Sequence, residues 1–324
     1  MQFQKILRSV VLTGATVFGV IASAQEFKTP VRIVVPFAAG GATDILARLL
    51  APKIGASIGQ SVIVDNRPGA SGQIGTQAVQ QAKPDGATFV MGADQSLLVV
   101  PLITPNVPYD GIRDFVAVGM ISKFRWGFST SSTTGAKSLG EFMDFVRSNP
   151  QKANFGVPAL GGMPQMLGNA VGKKAGVSLV VAPYNGAAPM MSDLMGGQIS
   201  AGVSGLTEAL GLQRSGKGRI LAVSGDKRSA VAPDVPTLSE LGVPGLDVTN
   251  WFGIFAPRGL PESMQKRFNT ALNDALKDPE VKQKMDELAM ELYPTTLEEA
   301  AAEVIKSNAF WKKIAETPGS GLKP

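Results

Sequence analysis

From Pro30 onward the chain alternates short β-branched runs with longer amphipathic ones: "VRIVVPF", "ATDILARLLAPKI", "SVIVDN", "SGQIGTQAVQQA", "ATFVMG". Few arrangements satisfy that alternation, because right-handed crossovers place each helix over a mostly parallel sheet and make the fold class α/β. In the first helical stretch Ile45, Leu46, Leu49 and Leu50 recur on one side, a stripe suited to the sheet, while Arg48 points elsewhere. A second set follows, with strands expected near "NFGV", "SLVVAPY", "ISAGV" and "RILAVS". Helices are expected at Leu139 to Arg147, Met163 to Lys174, Ala187 to Met195 and Leu206 to Gln213. The tail reads as three helices, Pro261 to Leu276, Pro279 to Leu292 and Leu297 to Ala315, with no sheet of their own. They are expected to return and cover the first sheet. This gives two lobes joined by crossings near "KFRWGFS" and "DVTNWFGIF", with residues 25–125 plus 249–324 in lobe 1 and 126–248 in lobe 2.

Residues 1–24 read as a secretory signal peptide: Lys5 and Arg8 precede an apolar run from Val10 to Ile21, and Ala22-Ser23-Ala24 supplies small residues for cleavage. That run is too short to cross ~30 Å of hydrocarbon as a helix. A soluble periplasmic protein, cleaved at about Ala24 and monomeric, is the expectation. With no Cys the chain forms no disulfide and lacks the acyl-accepting residue of a lipoprotein. The net charge of +5 falls when the two leader cations are removed. The remaining cations are scattered rather than gathered with aromatics, which speaks against nucleic acid as a partner.

The absence of His and Cys removes the commonest general base, the thiolate nucleophile and the two commonest zinc ligands. No cofactor and no metal is expected. Ser224 and Lys227 have the S-x-x-K spacing of some acyl-transfer enzymes, but they follow the strand-like "RILAVS" and enclose Gly225, so a loop is the better reading. "GLQRSGKG" approaches a phosphate-binding loop but has Gly218 where Ser or Thr is needed, and it precedes a strand. "GASGQIG" has the wrong glycine spacing for a dinucleotide fingerprint and reads as a turn into a helix.

"PFAAGGATD", Pro36 to Asp44, joins the first strand to the first helix. Ligands of parallel sheets collect at the carboxyl ends of the strands, and a helix start offers free N–H groups and a positive dipole end. Thr43 is the expected N-cap and Asp44 suits the first turn. On these residues alone two readings stand side by side: Gly40-Gly41 permits a tight turn, or the bare backbone cradles a carboxylate. "KFRWGFS" likewise leaves two readings, a packed strand face or Arg125 or Trp126 beside a ligand. Asp94 is expected to cap the helix after "ATFVMG", leaving Gln95 to meet a ligand.

The motifs "PVRIVVPFAAGGATDILARLLAPKI", "VIVDNRPGASGQIG", "KPDGATFVMG", "PYNGAAPMMSDLMGGQI", "ILAVSGDKRSAVAPDVPTLSELGVPG" and "WFGIFAPRGLP", in this order, resemble the substrate-binding proteins of the Bordetella-uptake or tripartite tricarboxylate transporter family. The resemblance implies a two-lobed, hinge-closing periplasmic binding protein of the type II kind, with a cleft between its lobes and no enzymatic activity. Such a receptor delivers a small organic carboxylate to membrane permease subunits, or reports it to a signalling partner. It also implies a site built from Phe37, Ala38, Ala39, Gly40, Gly41, Ala42, Thr43 and Asp44, facing Ala159, Leu160, Gly161, Gly162, Pro164 and Gln165, with Tyr184 and Asn185 in a matching cleft segment. Where the family often shows Phe-Asp, this chain has Val203-Ser204. Ser204 in place of an acid removes a partner for a ligand ammonium, which points to a mono- or dicarboxylate without an amino group, aromatic acids included.

Overall fold

A computed structural model describes residues 27–158, 160, 162–184, 186–243 and 249–316. The expected signal peptide lies outside the described residues. Strands β1 (Val31–Val35), β2 (Val62–Asn66), β3 (Thr88–Ala93), β4 (Phe115–Phe124), β10 (Asn250–Pro257) and β11 (Glu291–Leu292) form one sheet, in the order β11-β4-β10-β3-β1-β2. Strands β5 (Trp126–Ser131), β6 (Asn154–Val157), β7 (Val180–Pro183), β8 (Ala201–Gly205) and β9 (Gly218–Val223) form the other, in the order β7-β6-β8-β5-β9. The chain passes from the first sheet to the second at Arg125 and returns between Ser224 and Asn250.

The alternation leads one to expect mostly parallel sheets. Between the described strands, parallel pairing is confined to β2-β1-β3 and β7-β6-β8. The strands beside the crossings, β4 and β10 in one sheet and β5 in the other, pair antiparallel. Both sheets are therefore mixed, because a strand that arrives from the other lobe is not delivered by a helical crossover and is free to run the opposite way.

Helices α1 (Ala42–Ile58) and α2 (Gln73–Gln80) follow β1 and β2, and α3 (Val100–Ile103) follows β3. Val31, Ile33 and Val35 face the buried side of α1, where Leu46, Leu50 and Ile54 recur at helical spacing. Val34 points to the opposite core with Val79 and Trp311. Burial on both faces from Ile33 to Val35 accounts for the unbroken β-branched run there, while Arg32 is exposed. Around the second sheet lie α4 (Leu139–Ser148), α5 (Gly162–Ala175), α6 (Ala187–Met195) and α7 (Leu206–Arg214).

The tail returns to the first sheet as α8 (Glu262–Leu276), α9 (Pro279–Glu287) and α10 (Leu297–Glu316). Phe268 of α8 stacks on Phe89 of β3 with ring centroids 4.2 Å apart. Lys53 of α1 bonds both Asp278 and Glu280 at 2.8 Å, fastening α1 to the start of α9. A single helix expected from Pro279 to Leu292 ends instead at Glu287. Ala289 takes a left-handed φ of 51°, and the chain then runs straight as β11 on the edge of the sheet. Pairing with β4 overrides the helical pattern there. Among the described residues, no helix is long and apolar enough to cross a membrane.

Candidate functional site

The loop after β1 is shaped by side chains that follow it. Gly40 adopts φ +82°, a conformation that costs a residue with Cβ, and its N–H donates to Asp44 Oδ2 at 2.9 Å. Arg48 Nε donates to the same carboxylate at 3.1 Å, and its Nη2 donates to Asn66 Oδ1 at 2.9 Å. Asn66 Nδ2 in turn donates to the Phe37 carbonyl at 3.2 Å. Burial raises the Asp44 pKa, but the Gly40 amide, Arg48 and Asn66 outweigh it and hold the carboxyl below its usual range. Asp44 is thus a brace for the loop.

The expected N-cap at Thr43 is corrected by one turn geometry: the helix begins at Ala42, and extended Gly41 (φ −76°, ψ 167°) is the capping residue, with no side chain bonded to the helix start. Thr43 is buried in the first turn instead. The opening amides of α1 have no partner inside the helix, and Ala42 and Thr43 border a cavity of about 720 Å³.

That cavity lies between the two sheets. From the first come Phe37, Ala38, Ala42, Thr43, Gln95, Phe124 and Phe252; from the second come Trp126, Leu160, Pro164, Tyr184 and Glu208. The structure therefore brings together nine of the candidate site residues named from the sequence: Phe37, Ala38, Ala42, Thr43, Gln95, Trp126, Leu160, Pro164 and Tyr184. Ala39, Gly40, Gly41, Asp44, Gly162, Gln165 and Ser204 lie off its wall, and Ala159, Gly161 and Asn185 fall outside the described residues. Gly162 is close by, since a Cβ there would collide with Gln95 Oε1. Ser204 is buried and its hydroxyl donates to the Gly205 carbonyl at 3.1 Å.

The residues of "KFRWGFS" divide between core and cavity wall. Phe128 is fully buried in the core, whereas Phe124 and Trp126 face the cavity. Phe124 stacks on Phe252 at 4.6 Å and meets Trp126 edge-on at 5.7 Å. Arg125 is buried, bonding Glu291 at 3.0 Å and the Ser224 carbonyl at 3.3 Å. Ser224 Oγ accepts from the Trp126 amide at 2.9 Å, so it serves the crossing, in a loop after β9.

Behind the cavity wall runs a chain of bonds. Trp126 Nε1 donates to Asn250 Oδ1 at 2.7 Å, and Asn250 Nδ2 donates to Asp94 Oδ2 at 2.6 Å. Trp311 Nε1 of α10 reaches the same oxygen at 3.2 Å, and the Gln95 amide donates to Asp94 Oδ1 at 3.0 Å. Asp94 does cap, as expected, and it also links both crossing strands to α10. Burial raises its pKa from 3.8 to about 6, against the opposing pull of Asn250, Trp311 and the Gln95 amide.

Sequence reasoning missed three further contributors. Pro68, Gly69, Ser71 and Gly72 come from the turn before α2, which had been assigned only a structural part. Leu288, Ala289 and Met290 come from the turn after α9, hidden inside an apparent helix. Glu208 comes from the first turn of α7 and puts a carboxylate on the wall. The argument from Ser204 that the cleft lacks an acid therefore fails, because the acid is supplied four residues further on.

The profile of the family described as "Tripartite tricarboxylate transporter family receptor" matches residues 46–319. The protein BugT of Bordetella pertussis is 34% identical over 253 residues, covering 78% of each chain. Among solved structures, MatC from Rhodopseudomonas palustris with bound malate superposes with a TM-score of 0.79 at 28% identity, covering 90% of this chain and 100% of its own. A second R. palustris protein, with adipate, gives a TM-score of 0.82 at 31% identity, covering 91% of this chain and 99% of its own.

Proposed function

The chain belongs to the tripartite tricarboxylate transporter receptor family, and from that premise we propose that it is a monomeric periplasmic receptor for a small organic mono- or dicarboxylate, aliphatic or aromatic. Its family is one of solute receptors, so capture rather than turnover is its task. The observation that carries the reading is the uncapped start of α1 at the cavity wall. A carboxylate placed there accepts from amides that have no partner inside the helix, each charge-assisted bond contributing about 1.5 to 3 kcal/mol. The helix dipole adds ~0.3 to 2 kcal/mol. Malate and adipate in the related structures are both carboxylates.

The rest of the ligand meets Phe37, Phe124, Trp126 and Phe252, a wall suited to a hydrocarbon chain or an aromatic ring. The volume of about 720 Å³ is within the ordinary range for small-molecule sites. Residues 25–125 with 249–324 act as one lobe and 126–248 as the other, turning about Arg125 and the return crossing. Closure is favoured only to the extent that the ligand binds the closed form more tightly. The loaded receptor then docks on membrane permease subunits of a tripartite carrier.

A thermal-shift screen of aliphatic and aromatic mono-, di- and tricarboxylates tests this. A selective acid at one hundred times its Kd adds about 2.7 kcal/mol of stability, a rise in Tm of several degrees. A screen in which no acid outperforms a matched neutral amide contradicts the proposal.

A further inference from the structure

Among the described residues, two ionisable side chains stand on the cavity wall, Tyr184 and Glu208. The Tyr184 hydroxyl is committed, donating to Asp193 Oδ2 at 2.7 Å. Burial and that carboxylate push its pKa up to about 12, so it stays neutral. Glu208 is different. Among the described residues no cation and no side-chain donor meets its carboxylate, and no Lys or Arg lines the cavity. Burial raises its pKa, and only its own backbone amide works against that. A partly desolvated acid whose one partner is its own first-turn amide is costly to keep.

Its position is nevertheless well defined. Gly205 leaves room for it, since a Cβ at that residue would lie 2.6 Å from Glu208 Oε2. Thr207, its neighbour, donates a hydrogen bond to the Leu288 carbonyl, which pins the first turn of α7 to the turn after α9. The carboxylate is therefore presented into the cavity from a fixed turn on the second sheet's side, while the α1 start approaches from the first.

We propose that Glu208 is a specificity-determining residue that reads the end of the ligand remote from its bound carboxylate, accepting a hydrogen bond from a hydroxyl, amide or ammonium there. This inference rests on the carboxylate-receptor reading. A ligand with one carboxylate and one distal donor satisfies both walls. A dicarboxylate of the same length brings its second charge against Glu208 with no cation to balance the pair.

The test is calorimetry at pH 8 on the full mature chain and on two variants, Glu208→Gln and Glu208→Ser, which remove the charge with different loss of reach. The probes are ω-hydroxy and ω-amino monocarboxylates of four to six carbons against succinate, glutarate and adipate, with hydroxymethylbenzoate against terephthalate as the aromatic pair. The wild type is expected to favour the donor-bearing member of the best-fitting pair by at least tenfold, and both variants to lose that preference through tighter binding of the dicarboxylate. A wild type that favours the dicarboxylate, or variants that shift both members by one common factor, would overturn the role of Glu208 and leave the receptor reading intact. If no acid in either series binds the folded wild type, the receptor reading fails and this inference fails with it.

Discussion

Replacing Asp94 with Asn tests the bond network behind the cavity through its dependence on pH. The carboxyl is 1% exposed and accepts from Asn250, Trp311 and the Gln95 amide. Burial is the dominant influence on it and leaves its pKa at about 6 in the folded chain against 3.8 for an ordinary aspartate. The folded state thus holds this proton more tightly than the unfolded state. The resulting stability is fully present below 3.8 and is lost as pH rises through about 6. At roughly 1.4 kcal/mol per unit, the loss amounts to about 3 kcal/mol. Asn has the same shape but does not titrate in this range, so groups common to both proteins cancel in the difference between them. Urea denaturation at intervals from pH 4 to pH 8 is expected to show the stability of Asp94→Asn rising relative to wild type by about 2.4 kcal/mol, since roughly 0.6 kcal/mol of the loss already lies below pH 4, whatever constant offset its altered hydrogen bonding introduces. A difference that stays flat across this range would refute the account of Asp94 as a buried acid held near neutrality.

Two further substitutions probe the frame that positions the site. Gly75→Ala places a Cβ 2.8 Å from the Arg67 carbonyl and from Pro36 Cα; the overpacking is expected to cost about 1 to 3 kcal/mol in urea denaturation and, by displacing the Pro36 loop, to weaken carboxylate binding as well. Phe268→Ala removes a buried ring stacked on Phe89 and is expected to cost about 3 to 5 kcal/mol, read from the denaturation midpoint, while ligand-induced stabilisation persists as long as the chain is folded.

Much of the fold was legible because local pattern and tertiary demand agree. Ala187–Met195 is a helix at its expected bounds, and the aromatic stretches around Trp126 and Trp251 do lie where the chain changes sheets. Disagreement arises where a distant partner decides. The helical pattern through Leu292 ends early because Glu291 and Leu292 pair with β4, a strand more than 160 residues away in sequence. Antiparallel pairing of β10 is likewise invisible to local periodicity. At the site, Thr43 has the chemistry of an N-cap, but Asp44 bonds the Gly40 amide one turn back and so lets Gly41 take that place. Glu208 carries no local signal in the sequence, because it reaches the cavity wall only through the contact of the first turn of α7 with the turn after α9.

The claim that most needs testing is that the bare start of α1 binds the ligand's carboxylate through its amides. Ala42→Pro deletes one of these donors and little else: proline is well tolerated at the first helical position, and Gly41 already has the extended conformation that must precede it. Calorimetry with the best-binding acid of the carboxylate screen should show affinity falling by about 1.5 to 3 kcal/mol, some tenfold to over a hundredfold, with the denaturation midpoint close to that of wild type. Undiminished affinity in a folded Ala42→Pro protein would contradict the account.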